Sequence, residues 1–279
     1  MTLFEALLLG LVQGITEFLP VSSDGHLALA TMLLGKDPAG DSGIVFDLVV
    51  HLATMLAVCI RFRRELWELR AALVPGEGGI LARRVVLLVF AASVPTAIVG
   101  LLIKDTAEWA FGVPVLVGLG FLGTSFGLGV SLLLLRRRPG RPAEEPVPGR
   151  AWADLESIRV RDAVAVGIAQ GLAPWPGLSR SASTIAAAVA CGVRPGTAAR
   201  FSLLASLPAI GGAFLLKIHE AGGHAGPLPP LLLGFLVAGV VGYFAIGWLI
   251  SIARSARLGW FALYTLLLGL FVLAFSLSR

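Results

Sequence analysis

Gln13-Gly14-Ile15-Thr16-Glu17-Phe18-Leu19-Pro20-Val21-Ser22-Ser23-Asp24-Gly25-His26 places an amide, two carboxylates, hydroxyls and an imidazole inside an otherwise oily chain. A second stretch, Gln170-Gly171-Leu172-Ala173-Pro174-Trp175-Pro176-Gly177-Leu178-Ser179-Arg180-Ser181-Ala182-Ser183-Thr184, does the same with hydroxyls and a guanidinium. Leaving such groups unpaired in hydrocarbon costs roughly 2–7 kcal/mol each, so they are expected to face one another across a wet cavity. Segments 3–34 and 162–192 are each long enough for two half-length helices and are broken midway by Pro, Gly and Ser. Backbone broken at membrane depth is tolerated only where it is buried in protein or lines a cavity, so both segments read as re-entrant hairpins.

Composition sets the solvent. Of 279 residues, 57% are hydrophobic and 14% charged, against about 25% charged in a globular protein, and the mean hydropathy is +0.88. The chain therefore reads as a polytopic membrane protein. Its net charge of +5 is carried by loops and does not argue for nucleic acid as a partner. Crossing a core of roughly 30 Å takes about 20 apolar residues, and six spans fit, at roughly 44–60, 85–103, 114–135, 197–217, 231–251 and 259–277. Pro95 and Pro208 inside them are tolerable where neighbouring helices satisfy the freed backbone groups. Met1 precedes an acidic Glu5 without a basic n-region, so no cleavable signal peptide is expected. Cys59 and Cys191 lie in apolar runs and read as small core residues, not as a disulfide or a metal pair.

The two broken segments align: Gln13-Gly14-Ile15 with Gln170-Gly171-Leu172, and Ser22 with Ser179. Each is followed by three spans, and an odd number of spans per half turns the second half over in the membrane. The expected fold is thus all-α and polytopic, with six transmembrane helices plus two re-entrant helical hairpins in an inverted repeat. It forms one integral-membrane domain, with 1–135 as the first repeat, 136–160 as a linker and 161–279 as the second repeat. Arginines cluster on one side: Arg61, Arg63, Arg64, Arg70, Arg83 and Arg84 between the first two spans, and Arg136 to Arg161 between the halves. Arg194, Arg200, Arg254 and Arg257 fall on that side too, whereas the other receives Lys36, Lys104, Lys217 and Arg279. The asymmetry puts the Arg-rich side in the cytoplasm. Both termini and the first hairpin then open to the outer face, and the Pro- and Gly-rich stretch 139–149 is a cytoplasmic linker.

Chemistry is sought in the broken segments. Glu17 lies one helical turn after Gln13, so both can share a face, where a carboxylate binds a divalent cation or takes a proton. The plainer reading is an interfacial helix-end carboxylate. Of Ser22 and Ser23, one is expected to cap a helix. The other then shares a face with His26 and forms a nucleophile-and-base pair. Gly177 frees the backbone, while Ser179, Ser181 and Thr184 offer hydroxyls and Arg180 a planar fork suited to phosphate oxygens. A helix starting there aims its positive end at an anion. Asp47 and His51, four residues apart, either line the same cavity or simply pair with each other. Trp175 reads as packing, and His219 and His224 as solvated loop residues.

These residues resemble the undecaprenyl-diphosphatase family of the bacitracin-resistance type. Its first element appears as Gln13…Glu17 followed by Pro20-Val21-Ser22-Ser23-Asp24-Gly25-His26, and its second as Pro176-Gly177-Leu178-Ser179-Arg180-Ser181-Ala182-Ser183-Thr184. The resemblance covers nearly the whole chain. It implies a multi-pass enzyme of the bacterial inner membrane that removes the terminal phosphate of undecaprenyl diphosphate, its site open toward the outer face. It also implies dependence on a divalent cation, Mg2+ or Ca2+, a polyprenyl diphosphate substrate within membrane lipid, and room for a homodimer. On that reading Ser23 is the nucleophile, with His26 as base and then acid. Glu17 holds the metal or orients the histidine, and Gln13, Ser22, Gly177, Ser179, Arg180, Ser181 and Thr184 bind substrate. Attack by metal-bound water stays open. The family's first acidic position is Gln13 here, which removes one charge from a metal site, and Asp24 and Ala182 stand where Thr and Gly are common.

Two rivals are weighed. Inverted repeats with broken helices also build transporters, in which the cavity would carry an anion or a lipid headgroup. Ser23-Asp24-Gly25-His26 is superficially similar to the Ser-Gly-His element of acid-phosphatase-like lipid phosphatases. Their Ser-Arg-x5-His element fails, because Ala186 stands at the histidine position.

Overall fold

The computed structural model describes residues 1–36, 41–137, 145, 150–220, 227–255 and 257–277. Its helices are α1 (Leu3–Thr16), α2 (Ser23–Leu33), α3 (Asp41–Arg61), α4 (Arg63–Glu68), α5 (Glu77–Phe111), α6 (Pro114–Arg137), α7 (Val160–Gly171), α8 (Arg180–Ala190), α9 (Pro195–Glu220), α10 (Leu228–Arg254) and α11 (Gly259–Leu277). Six of them, α3, α5, α6, α9, α10 and α11, are long and apolar enough to cross a membrane. These match the six expected spans, and the helical pairs α1–α2 and α7–α8 occupy the expected hairpins. Large apolar side chains such as Phe90, Phe126, Phe244 and Phe271 point outward, as a lipid-facing surface requires.

Each hairpin breaks for a local reason. After α1 the chain turns through Pro20 and reaches Ser22 at φ +71°, the one non-glycine residue with positive φ among those described. Ser22 then caps α2, its Oγ accepting the Gly25 N–H at 3.3 Å. The second break runs through Pro174 and Pro176 to Gly177 at φ +84°. Ser179 caps α8 by accepting the Ala182 N–H at 3.2 Å. A Cβ at Gly177 would meet the Val117 carbonyl, so only glycine lets this turn lie against α6.

The repeats interlock reciprocally. The first arm of each hairpin lies on the second span of the other repeat, α1 on α10 and α7 on α5, while α3 and α9 meet between them. Small residues permit the approach: Gly10 and Gly14 face Gly234 and Val241, and Gly167 faces the Ala92 backbone. Phe18, Val21, Ile185, Phe201 and Leu203 belong to the main core, which packs both hairpins on the spans.

The spans run longer than their apolar windows. Arg83 and Arg84, expected between spans, lie in the first turns of α5. Arg83 Nη1 donates to Ala72 O and Val74 O, and Arg84 Nη2 to Glu156 O and Ile158 O, so both tie the helix to its neighbouring segments. Arg200, assigned to the basic side, is buried, paired with Asp154 at 3.1 Å and flanked by Phe62 and Trp152. Cys59 and Cys191 form no disulfide. Apart from residue 145, the 139–149 linker lies outside the described residues, as do His224 and the side chain of His219.

Candidate active site

Where the hairpins meet, three contacts join them. Arg180 Nη2 of α8 donates to Glu17 Oε1, Ser181 Oγ donates to the Leu19 carbonyl at 3.0 Å, and Gly25 lies directly against Gly177. Beside this junction opens one cavity of about 420 Å³. Glu17, Ser22, Ser23, Asp24, Ser179 and Arg180 form its polar end. Leu101, Phe111, Phe214 and Leu216 form an apolar wall. The α2 and α8 N-termini therefore both open on one chamber, a placement whose dipoles and free N–H groups suit an anion.

Glu17 is the hub. Its Oε2 accepts from Ser23 Oγ at 2.7 Å and from Gln13 Nε2 at 3.0 Å, and His51 Nε2 approaches the same oxygen at 3.4 Å. Arg180 takes the other oxygen. The carboxylate is buried, as is Gln13. Donors from both hairpins meet on its two oxygens, so Glu17 organises their junction. Gln13, expected to bind substrate, instead orients Glu17 from behind, leaving its own Oε1 without a partner among the described residues.

His26 is engaged at both ring nitrogens. Its Nδ1 lies 2.6 Å from the Ser22 carbonyl, which requires a proton on that nitrogen, so Nε2 accepts from the Tyr264 hydroxyl at 2.7 Å. The ring stacks on Tyr264 and meets Phe121 edge-on. Both nitrogens are engaged away from the cavity, which His26 does not line. In this arrangement its geometry fastens α2 to α11.

The remaining expected residues divide. Ser22, Ser23, Ser179 and Arg180 line the chamber. Gly177, Ser181 and Thr184 do not. Gly177 is the close-packed tip, and Ser181 bridges the hairpins. Thr184 donates to the Arg180 carbonyl at 2.8 Å and shares a 2.6 Å bond with Ser202. Those three shape the site without reaching its contents. Trp175 packs, its Nε1 donating to the Leu116 carbonyl at 3.3 Å.

Two participants went unassigned. His51 lines the chamber, and its Nε2 stands 3.4 Å from both Glu17 Oε2 and Asp24 Oδ1, so the Asp47–His51 pair belongs to the site after all. The i to i+4 spacing was its signal. Thr124 of α6 accepts the Ser179 N–H at 2.8 Å and donates to the Gly177 carbonyl at 2.9 Å, holding the second hairpin's tip. A lone threonine in an apolar span carries no such signal.

Comparison with known proteins bears on this geometry. Residues 6–271 match the family described as bacitracin resistance protein BacA. The chain belongs to that family. Proteins named undecaprenyl-diphosphatase from Carboxydothermus hydrogenoformans and Geobacter sulfurreducens are each 38% identical to it. The first alignment covers 98% of this chain and 97% of the relative, the second 100% of both. One of the same name from Rubrobacter xylanophilus is 39% identical over 99% of this chain and 98% of its own. The two BacA-type elements read from the sequence are the two hairpin breaks that meet at this chamber.

The family's implied cation can be tested against the donors present. Among the described residues, one group of three could hold a metal: Asp24, Asp47 and His51, with one ligand atom from each lying within 4.8 Å of the others. Two carboxylates and an imidazole suit a divalent ion, and all three residues line the chamber.

Proposed function

We infer that this protein is an undecaprenyl-diphosphatase, releasing the terminal phosphate of undecaprenyl diphosphate to leave the lipid monophosphate. The observation that carries the reading is a serine hydroxyl bonded to a buried carboxylate, with an arginine on that carboxylate's other oxygen. Ser23 and Arg180 stand at the N-termini of α2 and α8 and Glu17 at the end of α1, all three lining a chamber with an apolar wall. About 420 Å³ lies within the roughly 300–1,000 Å³ of small-molecule pockets. Such a volume takes a diphosphate head and the first isoprene units, leaving the rest of the tail in lipid.

Arg180 is the phosphate-binding fork. When it turns from Glu17 to a phosphate oxygen, it stabilises charge on the transferring group and frees an oxygen of Glu17. Ser23 Oγ then attacks the terminal phosphorus and passes its proton to Glu17. The bond to the bridging oxygen breaks and undecaprenyl phosphate departs. Water hydrolyses the phosphoserine, giving inorganic phosphate and restoring the serine. Ser179 and the amides at the α2 and α8 starts orient the head. Asp24, Asp47 and His51 would hold a divalent cation, which would supply positive charge to the site when bound.

Location follows the same reading. The protein is a multi-pass membrane protein, and we place it in the bacterial inner membrane with the chamber open to the outer face. Lys104 and Lys217, expected outside by the arginine asymmetry, both line the chamber and support that direction.

The test is phosphate release by purified protein in detergent given undecaprenyl diphosphate. Release that disappears in Ser23→Ala is expected. A carrier would bind the lipid and release nothing, and that result would return the chain to the transporter class.

A further inference from the structure

We propose that Lys104 of α5 and Lys217 of α9 hold the lipid-linked phosphate of the substrate, the group that departs, one helical turn outside the terminal phosphate gripped by Arg180. The proposal rests on the phosphatase reading and adds to it the direction in which the diphosphate lies.

Depth in the bundle points there first. Ser179, which caps α8 immediately before Arg180, donates its N–H to Thr124 Oγ1 at 2.8 Å. Thr124 is roughly 15 Å from the Pro114 start of α6. α5 ends at Phe111 and α6 begins at Pro114, so the two helix ends share a level. Lys104 is roughly 10 Å from the Phe111 end of α5. It therefore stands about one turn outside the start of α8. Lys217 gives the same depth from another side. Its Nζ lies 3.9 Å from Asp47 Oδ2. Asp47 precedes by one turn of α3 the His51 whose Nε2 is 3.4 Å from Glu17 Oε2, and α3 runs inward from there to Arg61.

The chemistry of transfer needs cations at that depth. Negative charge builds on the leaving phosphate as its bond to the terminal phosphorus breaks, and Arg180 serves the terminal group. A lysine that merely snorkels from a helix end reaches out to lipid headgroups. Lys104 and Lys217 line the chamber instead. Lys104 Nζ is 4.0 Å from Glu108 Oε1, and Lys217 stands at its 3.9 Å from Asp47, both beyond hydrogen-bond length. Water screens partly exposed pairs of this kind, so a phosphate can take the ammonium groups from them.

The tail decides which phosphate lies where. Beside the lysines, Leu101 on α5 and Leu216 on α9 belong to the apolar wall of the chamber and are 58% and 51% exposed. The wall thus continues onto the lipid-facing surface next to Lys104 and Lys217. The phosphate that carries the tail lies at that edge, and the terminal phosphate lies deeper, at Arg180.

Undecaprenyl phosphate carries only the lipid-linked phosphate. Its binding to the full-length protein in detergent, followed by native mass spectrometry, reads this site without turnover. Wild-type protein is expected to bind it. Lys104→Gln with Lys217→Gln is expected to weaken binding at least about tenfold, while Lys104→Arg with Lys217→Arg stays within about threefold. Arg180→Lys is also expected to stay within about threefold, and Lys36→Gln, outside the chamber, to match wild type. Elution volume and thermal midpoint identify a variant that misfolds, and the single glutamine variants then carry the comparison with the arginine pair. Glutamine protein that binds as tightly as wild type would overturn the assignment. So would binding lost in Arg180→Lys alone, which would put the lone phosphate on the arginine. In hydrolysis of undecaprenyl diphosphate, the glutamine pair is expected to lower kcat at least about tenfold, which loss of ground-state binding alone would not do. Wild-type protein that binds the monophosphate yet hydrolyses no diphosphate would remove the phosphatase reading and leave the lipid-phosphate site standing.

Discussion

Ser23 and Glu17 stand on opposite sides of the first hairpin's break, joined by a 2.7 Å hydrogen bond from the serine hydroxyl to carboxylate Oε2. On the proposed mechanism that bond sets the nucleophile on its proton acceptor before substrate arrives. Glu17→Gln keeps the shape and an acceptor oxygen but cannot take the proton. Turnover in undecaprenyl diphosphate hydrolysis is expected to fall about 10²–10⁴-fold, with the thermal midpoint measured alongside. A Glu17→Gln protein retaining more than a tenth of wild-type turnover would remove the carboxylate from the proton path.

Arg180 pairs with Glu17 and, on the proposed mechanism, grips phosphate, two duties that separate in kinetics. Arg180→Ala is expected to lose turnover and stability together, because removing one partner of the ion pair with buried Glu17 strands a charge and costs about 3–5 kcal/mol. Arg180→Lys keeps the charge but loses the planar fork, so it is expected to hold the fold while kcat drops more than KM rises. Equal thermal midpoints for Ala and Lys variants would show that the pair does not hold the hairpins together.

The His26–Tyr264 bond points to a positioning role for His26, and Tyr264→Phe tests that without touching the chamber. The substitution keeps the stacked ring and deletes only the hydroxyl that His26 Nε2 accepts from. A loss of about 1 kcal/mol is expected, since one hydrogen bond disappears. His26→Ala should lower stability further and activity in parallel, with the pH profile of the remaining activity unchanged. A profile that loses a limb in His26→Ala, at unaltered stability, would restore the histidine as base.

How far the sequence reached depends on which contacts are local. Both hairpins were legible because Pro, Gly and Ser clusters inside apolar runs have one physical explanation, a break that lines a cavity. Glu17, Ser23 and Arg180 were legible for the same reason. The spacing of His26 from Ser23 suggested a shared helix face but gave no sign that its ring bonds Tyr264, 238 residues away. His51 was visible as a partner of Asp47, but its approach to Glu17 and Asp24 depends on how α3 packs against the hairpin. Thr124 had no local signal at all. Arg83 and Arg84 were read as loop because charge ended the apolar window, whereas α5 simply continues past it.

Gly25 is where the hairpins touch. A Cβ there would stand 2.6 Å from Phe121 Cζ and 2.9 Å from the Gly177 Cα. The ring can shift, but the glycine backbone opposite cannot without moving the turn that presents Arg180. Gly25→Ala is expected to destabilise by about 1–3 kcal/mol through overpacking and to lower activity with it. Thermal unfolding in detergent and phosphate release check the pair, and unchanged values for both would mean that the tips are not in contact.

Asp154 provides a pH dependence outside the spans. Burial lifts its carboxyl from 3.8 to about 6, against the pull of Arg200. A raised carboxyl pKa means that the folded protein holds the proton more tightly than the unfolded chain does. Its contribution to stability is therefore complete below pH 4 and is lost as pH rises through about 6, a change of roughly 3 kcal/mol. Asp154→Asn cannot ionise and lacks this slope. The wild-type minus Asp154→Asn difference in thermal midpoint is expected to decline between pH 4.5 and 7 and to stay level above that. A difference growing in favour of wild type over the same range would show that the Arg200 pairing outweighs burial, with the ionised carboxylate as the stabilising form.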